Sequence, residues 1–292
     1  MHPNTSPQNS PSFRDHLPSF SAELAKVKIA FNYEADFFHQ IKKIFDSKTS
    51  ELMAALTADL QVFMEFEWKV LQSYSKGVIA LHTMKVALMI YCDPHFDSLS
   101  SEDQSILFWA AIMHDIAKRG SPKFLTKDHV HPFNSSIVAL RILNRLGVLK
   151  CDENKLEELS RIIATSIKKK AFAFLYPTVC CDVIHDHSKV DSFMPMVRQV
   201  CNSRFAYSIF VMIAFHQSIT VLKQFPHQSV LSEAQVLSIF NPHLMSLYKL
   251  LMAYDTLSYT YRNSKESHKN KAEVFLRINY WHQKLTMHQT IQ

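Results

Sequence analysis

The stretch ILFWAAIMHDIAKRG, residues 106–120, decides the fold class because it is apolar for eight residues and then places His114 and Asp115 side by side. At helical spacing both polar residues continue apolar stripes of the same segment, so both are expected to face the interior. A buried, ionised carboxylate costs several kcal/mol unless it is paired or bound to a metal. The sequence therefore predicts a compensating partner for this His-Asp pair elsewhere in the chain.

The same stretch carries signals for both ends of a helix. Ser101, followed three residues later by Gln104, fits a capping box, and Gly120 fits a glycine that ends a helix in a left-handed turn. These signals predict a helix over 102–119. Because residues 106–113 are apolar on nearly every side, the pattern is typical of a core helix.

Composition narrows the possible classes of protein. The 292 residues, of which 47% are hydrophobic, suffice for one large core or two modest ones. Only three glycines occur, far apart, which excludes a glycine-rich phosphate-binding loop and a dinucleotide fingerprint. The five cysteines are odd in number and form no CxxC pair, which argues against a disulfide framework or zinc knuckle and favours reduced thiols.

Almost the whole chain has a helical pattern, since period-two alternation is nearly absent and no Asn-Gly or Asp-Gly turn occurs. We therefore predict an all-α fold with little support for strands. The least regular interior segment, 173–191, is expected to be a long loop. The expected helices cover 21–47, 50–73, 77–92, 102–119, 132–146, 153–168, 190–222, 231–239, 242–263 and 268–286.

We expect the chain to have four parts, of which composition sets apart only the first. Residues 1–20 are rich in Ser, Pro and Asn and are expected to be a disordered tail. Residues 21–74 are expected to form an N-terminal helical region packed on the core. The core domain covers 75–262, and an additional C-terminal helix covers 263–292.

The sequence favours a cytoplasmic protein without membrane contacts. The apolar run 205–215 has 11 residues, against the roughly 20 that a membrane-spanning helix needs. The first 13 residues contain no apolar signal segment. The net charge of +6 is mild, and the lysine run 168–170 is typical of a solvated helix end, which argues against a nucleic-acid partner.

Two other segments carry polar residues on apolar helical faces and so qualify as partners of the dyad. His82 shares a face with Val86, and Asp255 continues a stripe that contains Leu251. A lone histidine on such a face is more often a hydrogen-bonded core residue, but three such helices together favour a shared site. Two imidazoles and two carboxylates form an N/O ligand set suited to Mn, Fe, Co, Ni, Zn or Mg.

At these residues the sequence resembles the HD superfamily of metal-dependent phosphohydrolases, whose signature is a His, then a His-Asp dyad, then a distant Asp on an all-helical core. The resemblance spans about 75–262 and rests on the motifs LHTMKV (81–86), AAIMHDIAK (110–118), HPFNSSIVALRILNRLG (131–147) and MAYDTLSY (252–259). It implies an HD-domain-like helical bundle. The primary metal ligands that it implies are His82, His114, Asp115 and Asp255.

Some members of this superfamily bind two metals, and the resemblance to them implies further ligands in this chain. Asp115 would bridge the metals, and two more histidines lie between the dyad and the last Asp. His131, at the start of the following helix, matches the first of them. The second is expected at the end of the next helix, where the chain reads RIIATSIKKK (161–170) without a histidine. His216 and His187 are the candidates to replace it, with core packing as the alternative for His216.

The resemblance implies hydrolysis of a phosphomonoester or nucleotide-like phosphate on a small substrate. A metal with open positions would lower the pKa of a bound water and polarise a phosphoryl oxygen. Asp115 would orient or deprotonate that water, and Lys118 would offset phosphate charge. For Lys118 a solvated cation at a helix C-terminus is the alternative. Arg119 and Arg262 are weaker candidates for the same role.

Three other functions remain open at this stage. An iron-dependent oxygenase of the same fold would need the full six-ligand set, and the missing histidine near residue 166 counts against it. A non-catalytic HD-like regulatory module would keep the scaffold without activity. A role in RNA or DNA processing would require basic residues around the mouth of the pocket.

A second His-Asp pair, His185-Asp186, has the same two residues but lies in the irregular segment, with no apolar helix to hold it rigid. We expect a surface or loop role for it, or else a flap over the active site. The pair at 114–115 is therefore the predicted metal site.

Overall fold

The structure is a computed structural model that describes residues 12–32, 36–60, 78–118, 130–169, 183–219, 230–258 and 264–291. These residues confirm the all-α class. Their helices are α1 Phe13–His16, α2 Pro18–Ile29, α3 Phe37–Leu60, α4 Val78–Tyr91, α5 Ser101–Met113, α6 His131–Arg145, α7 Glu153–Thr165, α8 Val190–Val200, α9 Arg204–Ala214, α10 Glu233–Ile239, α11 Pro242–Ser258 and α12 Ser264–Ile291.

One pair of short strands accompanies the helices. β1 Ile167–Lys169 pairs antiparallel with β2 Val183–His185, with Ile167 opposite His185. The sequence pattern did not predict these strands, because three residues are too few to establish an alternating pattern. A 3-10 turn, His187–Lys189, then leads from β2 into α8.

The helix that carries the dyad, α5, lies at the centre of the core. Its residues 106–113 are each at most 1% exposed, and it packs against α4, α6, α9 and α11. This burial on all sides follows from a sequence that offers no polar face over those turns. One continuous apolar core reaches from Phe13 to Leu285, and α12 lies along α11.

The N-terminal segment is helical from the point at which it is described. Residues 12–20 contain α1 and the start of α2, and Phe13, Leu17 and Phe20 are fully buried. Their spacing is that of one helix face, which the Ser- and Pro-rich composition concealed. The expected disordered tail is wrong for this part, and residues 1–11 lie outside the described residues.

The break between the first two predicted helices is misplaced. The sequence predicts helices over 21–47 and 50–73, but α2 and α3 are separated earlier, and α3 runs without interruption through the polar residues 47–50. The hydroxyls of Ser47 and Thr49 donate to backbone carbonyls of the preceding turn. These polar residues therefore satisfy their hydroxyls inside the helix and do not end it.

The N-cap of α5 lies one residue before the predicted cap. The hydroxyl oxygen of Ser100, not that of Ser101, accepts the backbone N–H of Asp103. The same hydroxyl donates to the carboxylate of Asp103. The first turn of the helix is therefore capped by Ser100 together with Asp103. The negative charge of Asp103 also interacts favourably with the positive end of the helix dipole.

The end of α5 differs more from the prediction. The helix stops at Met113, so His114 caps it and Asp115 follows in a turn. The backbone N–H of Ala117 donates to the hydroxyl of Ser135 on α6, which replaces a carbonyl of α5 as the acceptor. A contact from another helix therefore ends α5 earlier than its own sequence indicates.

The predicted helix over 190–222 is two helices, α8 and α9. Ser203 caps the second by accepting the N–H of Ala206. Because α9 ends at Ala214, His216 lies just beyond the helix and not on its apolar face.

Among the described residues, no helix combines the length and apolar character that a membrane span requires. Some predicted features lie outside the described part of the chain, namely Arg119, Gly120, Arg262 and the helix ends at 61–73, 220–222 and 259–263.

Candidate metal centre

Six of the side chains that the sequence singled out converge at one place, and they form two groups of possible ligands. The first trio consists of His82 in the middle of α4, His114 at the end of α5 and Asp255 on α11. The second trio consists of Asp115 after α5, His131 at the start of α6 and His216 after α9. Within each trio, one ligand atom per residue lies within 4.8 Å of the others.

The first trio joins three helices through ring nitrogens and one carboxylate. Nε2 of His82 lies 3.0 Å from Oδ1 of Asp255 and 3.3 Å from Nε2 of His114. Nε2 of His114 lies 3.6 Å from the same carboxylate oxygen. The side chain of Asp255 is 13% exposed, so it points into the site and not to solvent.

The second trio repeats this arrangement on the other side of the dyad. Oδ1 of Asp115 lies 2.8 Å from Nε2 of His131 and 3.6 Å from Nε2 of His216. The two imidazole nitrogens are 3.3 Å apart. His216 therefore joins this cluster, whereas the end of α7, where the resemblance implied a histidine, carries Ser166.

Asp115 connects the two trios. While its Oδ1 faces the second trio, its Oδ2 lies 3.6 Å from Nε2 of His82 and 3.8 Å from Nε2 of His114. The ammonium group of Lys118 lies 2.6 Å from the same Oδ2. One carboxylate thus presents an oxygen to each group of ligands.

Second hydrogen bonds orient three of the imidazoles. Nδ1 of His114 donates to the carbonyl of Ala111 at 2.8 Å, and Nδ1 of His216 donates to that of Ile213 at 2.7 Å. Since a carbonyl only accepts, both Nδ1 atoms carry a hydrogen, and the neutral rings present the lone pair of Nε2. Nδ1 of His82 has the hydroxyl of Ser258 at 2.7 Å. This is how metal-binding histidines are usually held.

These contacts fit a bound cation. Within each trio, two imidazole Nε2 atoms meet at 3.3 Å, where two lone pairs would repel each other without a proton or cation between them. In addition, imidazole nitrogens face the buried Oδ1 of Asp115, with Nε2 of His131 at 2.8 Å and Nε2 of His216 at 3.6 Å. A buried carboxylate oxygen in this position requires an electropositive partner. The donor set, imidazole nitrogen and carboxylate oxygen, suits divalent transition metals.

The electrostatics of the metal-free site favour ionised carboxylates. Burial alone would raise the pKa of Asp115, but the ammonium of Lys118 and nearby imidazoles hold it well below its ordinary value of 3.8. Burial would also raise the pKa of Asp255, but the nearby imidazoles of His114 and His82 hold it well below 3.8. Burial lowers the pKa of His82, whereas the two carboxylates raise that of His114 despite burial. Without a metal, Lys118 and the surrounding imidazoles therefore offset the charge of the two carboxylates.

His187, the other candidate for the missing ligand, lies outside both trios. Its Nε2 lies 2.7 Å from the hydroxyl of Ser218, and its ring packs against Phe133 at a centroid distance of 5.8 Å. These contacts give His187 a packing role beside the segment that holds His216.

In the second His-Asp pair, the described side chain of Asp186 belongs to neither trio. The backbone of His185 belongs to β2, and Asp186 is 8% exposed. Asp186 caps the 3-10 turn by accepting the N–H of Ser188, and its own N–H donates to the carbonyl of Ser166. Asp186 therefore has the expected loop role between β2 and the 3-10 turn, but it is buried and does not lie at the surface.

Sequence reasoning missed two residues at the centre. Ser258 lies one turn after Asp255 and contacts His82, while Gln217 follows His216 and has its amide nitrogen 3.4 Å from Nε2 of His131. Their positions next to predicted ligands were the only available signal, since neither Ser nor Gln is a usual metal ligand.

Comparison of the chain with models of known families, with curated proteins and with solved structures gives no match. The resemblance to the HD superfamily therefore rests on the quoted motifs alone. The arrangement itself defines a class of site: a buried cluster of four histidines and two aspartates that could hold metal ions.

Proposed function

We propose that this chain is a metal-dependent phosphohydrolase of the HD type that acts on a small phosphomonoester or nucleotide-like phosphate. The observation that carries the proposal is the position of Asp115, whose two carboxylate oxygens face two separate groups of ligands. Carboxylates that bridge two cations are characteristic of hydrolytic centres with paired metals. The expected location of such an enzyme is the cytoplasm.

The two trios would each hold one cation. His82, His114 and Asp255 would bind the first, His131 and His216 would bind the second, and Asp115 would contribute one oxygen to each. When bound, such cations supply a water that ionises near neutral pH and a positive charge that polarises a phosphoryl oxygen.

The protein's own groups would orient the reactants. The Asp115 carboxylate, fixed by Lys118 at 2.6 Å, is an acceptor for a proton of the attacking water. Lys118 is 24% exposed at the side chain and is therefore also within reach of an incoming phosphate, whose charge it would offset. The four histidines are almost fully buried, which would strengthen the attraction between the bound cations and an anionic substrate.

The order of the ligands along the chain supports assignment to the HD superfamily. His82, the His114-Asp115 dyad and Asp255 come from three different helices in the order that the motif requires. The position of His216 is a departure, since it follows α9 and not α7. A second metal would consequently depend on a ligand from a different part of the chain.

The presence of His216 in the cluster is also compatible with a second function, that of a di-iron oxygenase. A di-iron oxygenase of this fold needs six ligands, and the convergence of His216 with the other five removes the objection that the sequence raised. Both functions use the same residues and differ in the metal and its redox chemistry. A regulatory HD-like module would bind metal without turnover.

Elemental analysis of the purified protein, followed by activity screens, tests the proposal. The hydrolase requires up to two metal ions per chain and release of phosphate from nucleotides or sugar phosphates. Oxygen consumption with two irons and no phosphate release would identify the oxygenase. Metal without either activity would favour the regulatory module, and a protein that binds no metal would contradict all three.

A further inference from the structure

Ser258, the last residue of α11, links a ligand of the first trio to the backbone of another. Its Oγ lies 2.7 Å from Nδ1 of His82 and 2.7 Å from the carbonyl oxygen of Asp255. The backbone carbonyl of Ser258 in turn accepts from the ammonium of Lys85 at 3.5 Å. Ser258 is 8% exposed, so these contacts lie inside the protein.

The single hydrogen of the hydroxyl determines what His82 can do. If Ser258 donates that hydrogen to the carbonyl of Asp255, its oxygen can only accept from His82, so Nδ1 carries the ring hydrogen and Nε2 has a free lone pair. In the opposite arrangement, Ser258 donates to Nδ1, and Nε2 donates to Oδ1 of Asp255 at 3.0 Å. Only the first arrangement leaves Nε2 able to bind a cation.

His82 needs this partner because of its place in the helix. His114 and His216 lie at or beyond helix ends and donate Nδ1 to a carbonyl three residues earlier. His82 lies inside α4, where carbonyls of the preceding turn are engaged by the helix itself. Ser258, on a second helix, provides an acceptor in the place of such a carbonyl.

We propose that Ser258 is a positioning residue that holds His82 in the metal-binding tautomer and couples it to the helix that carries Asp255. This inference rests on the metal site of the proposed function. Removing the hydroxyl would take away this acceptor for the Nδ1 hydrogen of His82 and favour the arrangement in which Nε2 donates to Asp255, which competes with metal binding. The loss of the Ser258 hydroxyl would therefore reduce the free energy of metal binding more than it reduces the free energy of unfolding of the metal-free protein.

The test is a Co²⁺ titration of the full chain, followed by absorption spectroscopy and calorimetry, for the wild type and three variants. We expect Ser258→Ala to weaken one class of sites by about 10- to 100-fold and to leave the other class unchanged. Ser258→Thr keeps a hydroxyl and should restore binding. Ser136→Ala is the matched control, since Ser136 is a buried helical serine that donates to the carbonyl of Phe133 at 2.8 Å without a histidine partner.

A second measurement, by NMR, shows directly which nitrogen of the His82 ring carries the hydrogen. In the Zn²⁺-loaded wild type, ¹⁵N chemical shifts should show the hydrogen of His82 on Nδ1. Equal Co²⁺ affinity in Ser258→Ala and the wild type, with a lower melting temperature of the metal-free variant, would assign Ser258 to packing and overturn the inference. If the wild type itself binds no Co²⁺, the metal site of the proposed function fails first, and the inference fails with it.

Discussion

Two segments of this chain, HDIAK at 114–118 and HDHSK at 185–189, carry the same ionisable residues at the same spacing. Their backbones even form the same turn, since the N–H of Lys118 donates to the carbonyl of Asp115 at 2.9 Å and that of Lys189 to the carbonyl of Asp186 at 3.0 Å. The neighbours of the two carboxylates are nevertheless different.

The first segment ends a helix that is buried on all sides and meets histidines from three other elements. In the second segment, the carboxylate of Asp186 accepts from Ser188 in its own turn, and Lys189 is exposed. The comparison teaches that a His-Asp pair becomes a candidate metal site through the ligands that other helices bring to it. The motif by itself does not make the site.

The largest expected difference between the two segments is in the metal content and activity of variants at Asp115 and Asp186. Asp115→Ala should abolish metal retention and phosphatase activity together, because both trios lose the charge and the ligand that they share. Asp186→Ala should keep its metal and lose only a turn cap, worth ~1 kcal/mol. Metal analysis and chemical denaturation of both variants provide the measurement. Metal loss in Asp186→Ala and retention in Asp115→Ala would mean that the second segment is the site.

The two candidate histidines give a smaller difference. His216→Ala should remove one metal per chain and leave the first trio loaded, since His216 belongs to the second trio only. His187→Ala loses the contact with Ser218 and should retain the full metal content. The metal-to-protein ratio after gel filtration measures the effect. Full occupancy in His216→Ala would assign this residue to core packing.

Substitution of Lys118 or Lys189 tests the difference between the two segments without removing a metal ligand. Lys118→Met should reduce kcat/KM by about 10- to 100-fold, the effect of losing a charge-assisted hydrogen bond of ~1.5–3 kcal/mol. Lys189→Met replaces an exposed side chain and should leave activity unchanged. Steady-state kinetics at unchanged metal content separate the two. Equal activity of both variants would assign Lys118 to the solvated helix end.

The smallest effect is the acid sensitivity of the metal-free protein. The pKa of Asp115 is held well below 3.8 in the folded state, so the unfolded chain takes up a proton first as the pH falls. The stabilisation is present above pH ~4 and decreases below it, by at most ~1.4 kcal/mol per pH unit for one carboxylate.

Urea denaturation of the chelator-treated protein between pH 5 and pH 3 measures this slope. Asp115→Asn should flatten the dependence, whereas Asp15→Asn alters an exposed side chain and should leave it as in the wild type. An unchanged slope in Asp115→Asn would show that the acidic unfolding originates elsewhere.

Helix periodicity predicted much of the fold and the first trio. The stripes that contain His82 and Asp255 and the apolar run before His114 are local patterns, and a buried helix repeats its pattern wherever it packs. Helix ends were less predictable. Ser135, far from α5 in sequence, accepts the N–H of Ala117 and ends that helix early. The helical spacing of Phe13 and Leu17 did not lead to a helix prediction, because the Ser- and Pro-rich composition around them is typical of a disordered tail.

The sequence by itself determined the all-α class and which polar residues interrupt apolar faces, because burial of a helix face leaves a repeat along the chain. Only the tertiary structure decided that His216 completes a second trio, that Ser258 meets His82, and that one of two similar His-Asp segments lies among these ligands. Convergence of distant residues depends on how the helices pack against one another, and no local repeat records that geometry.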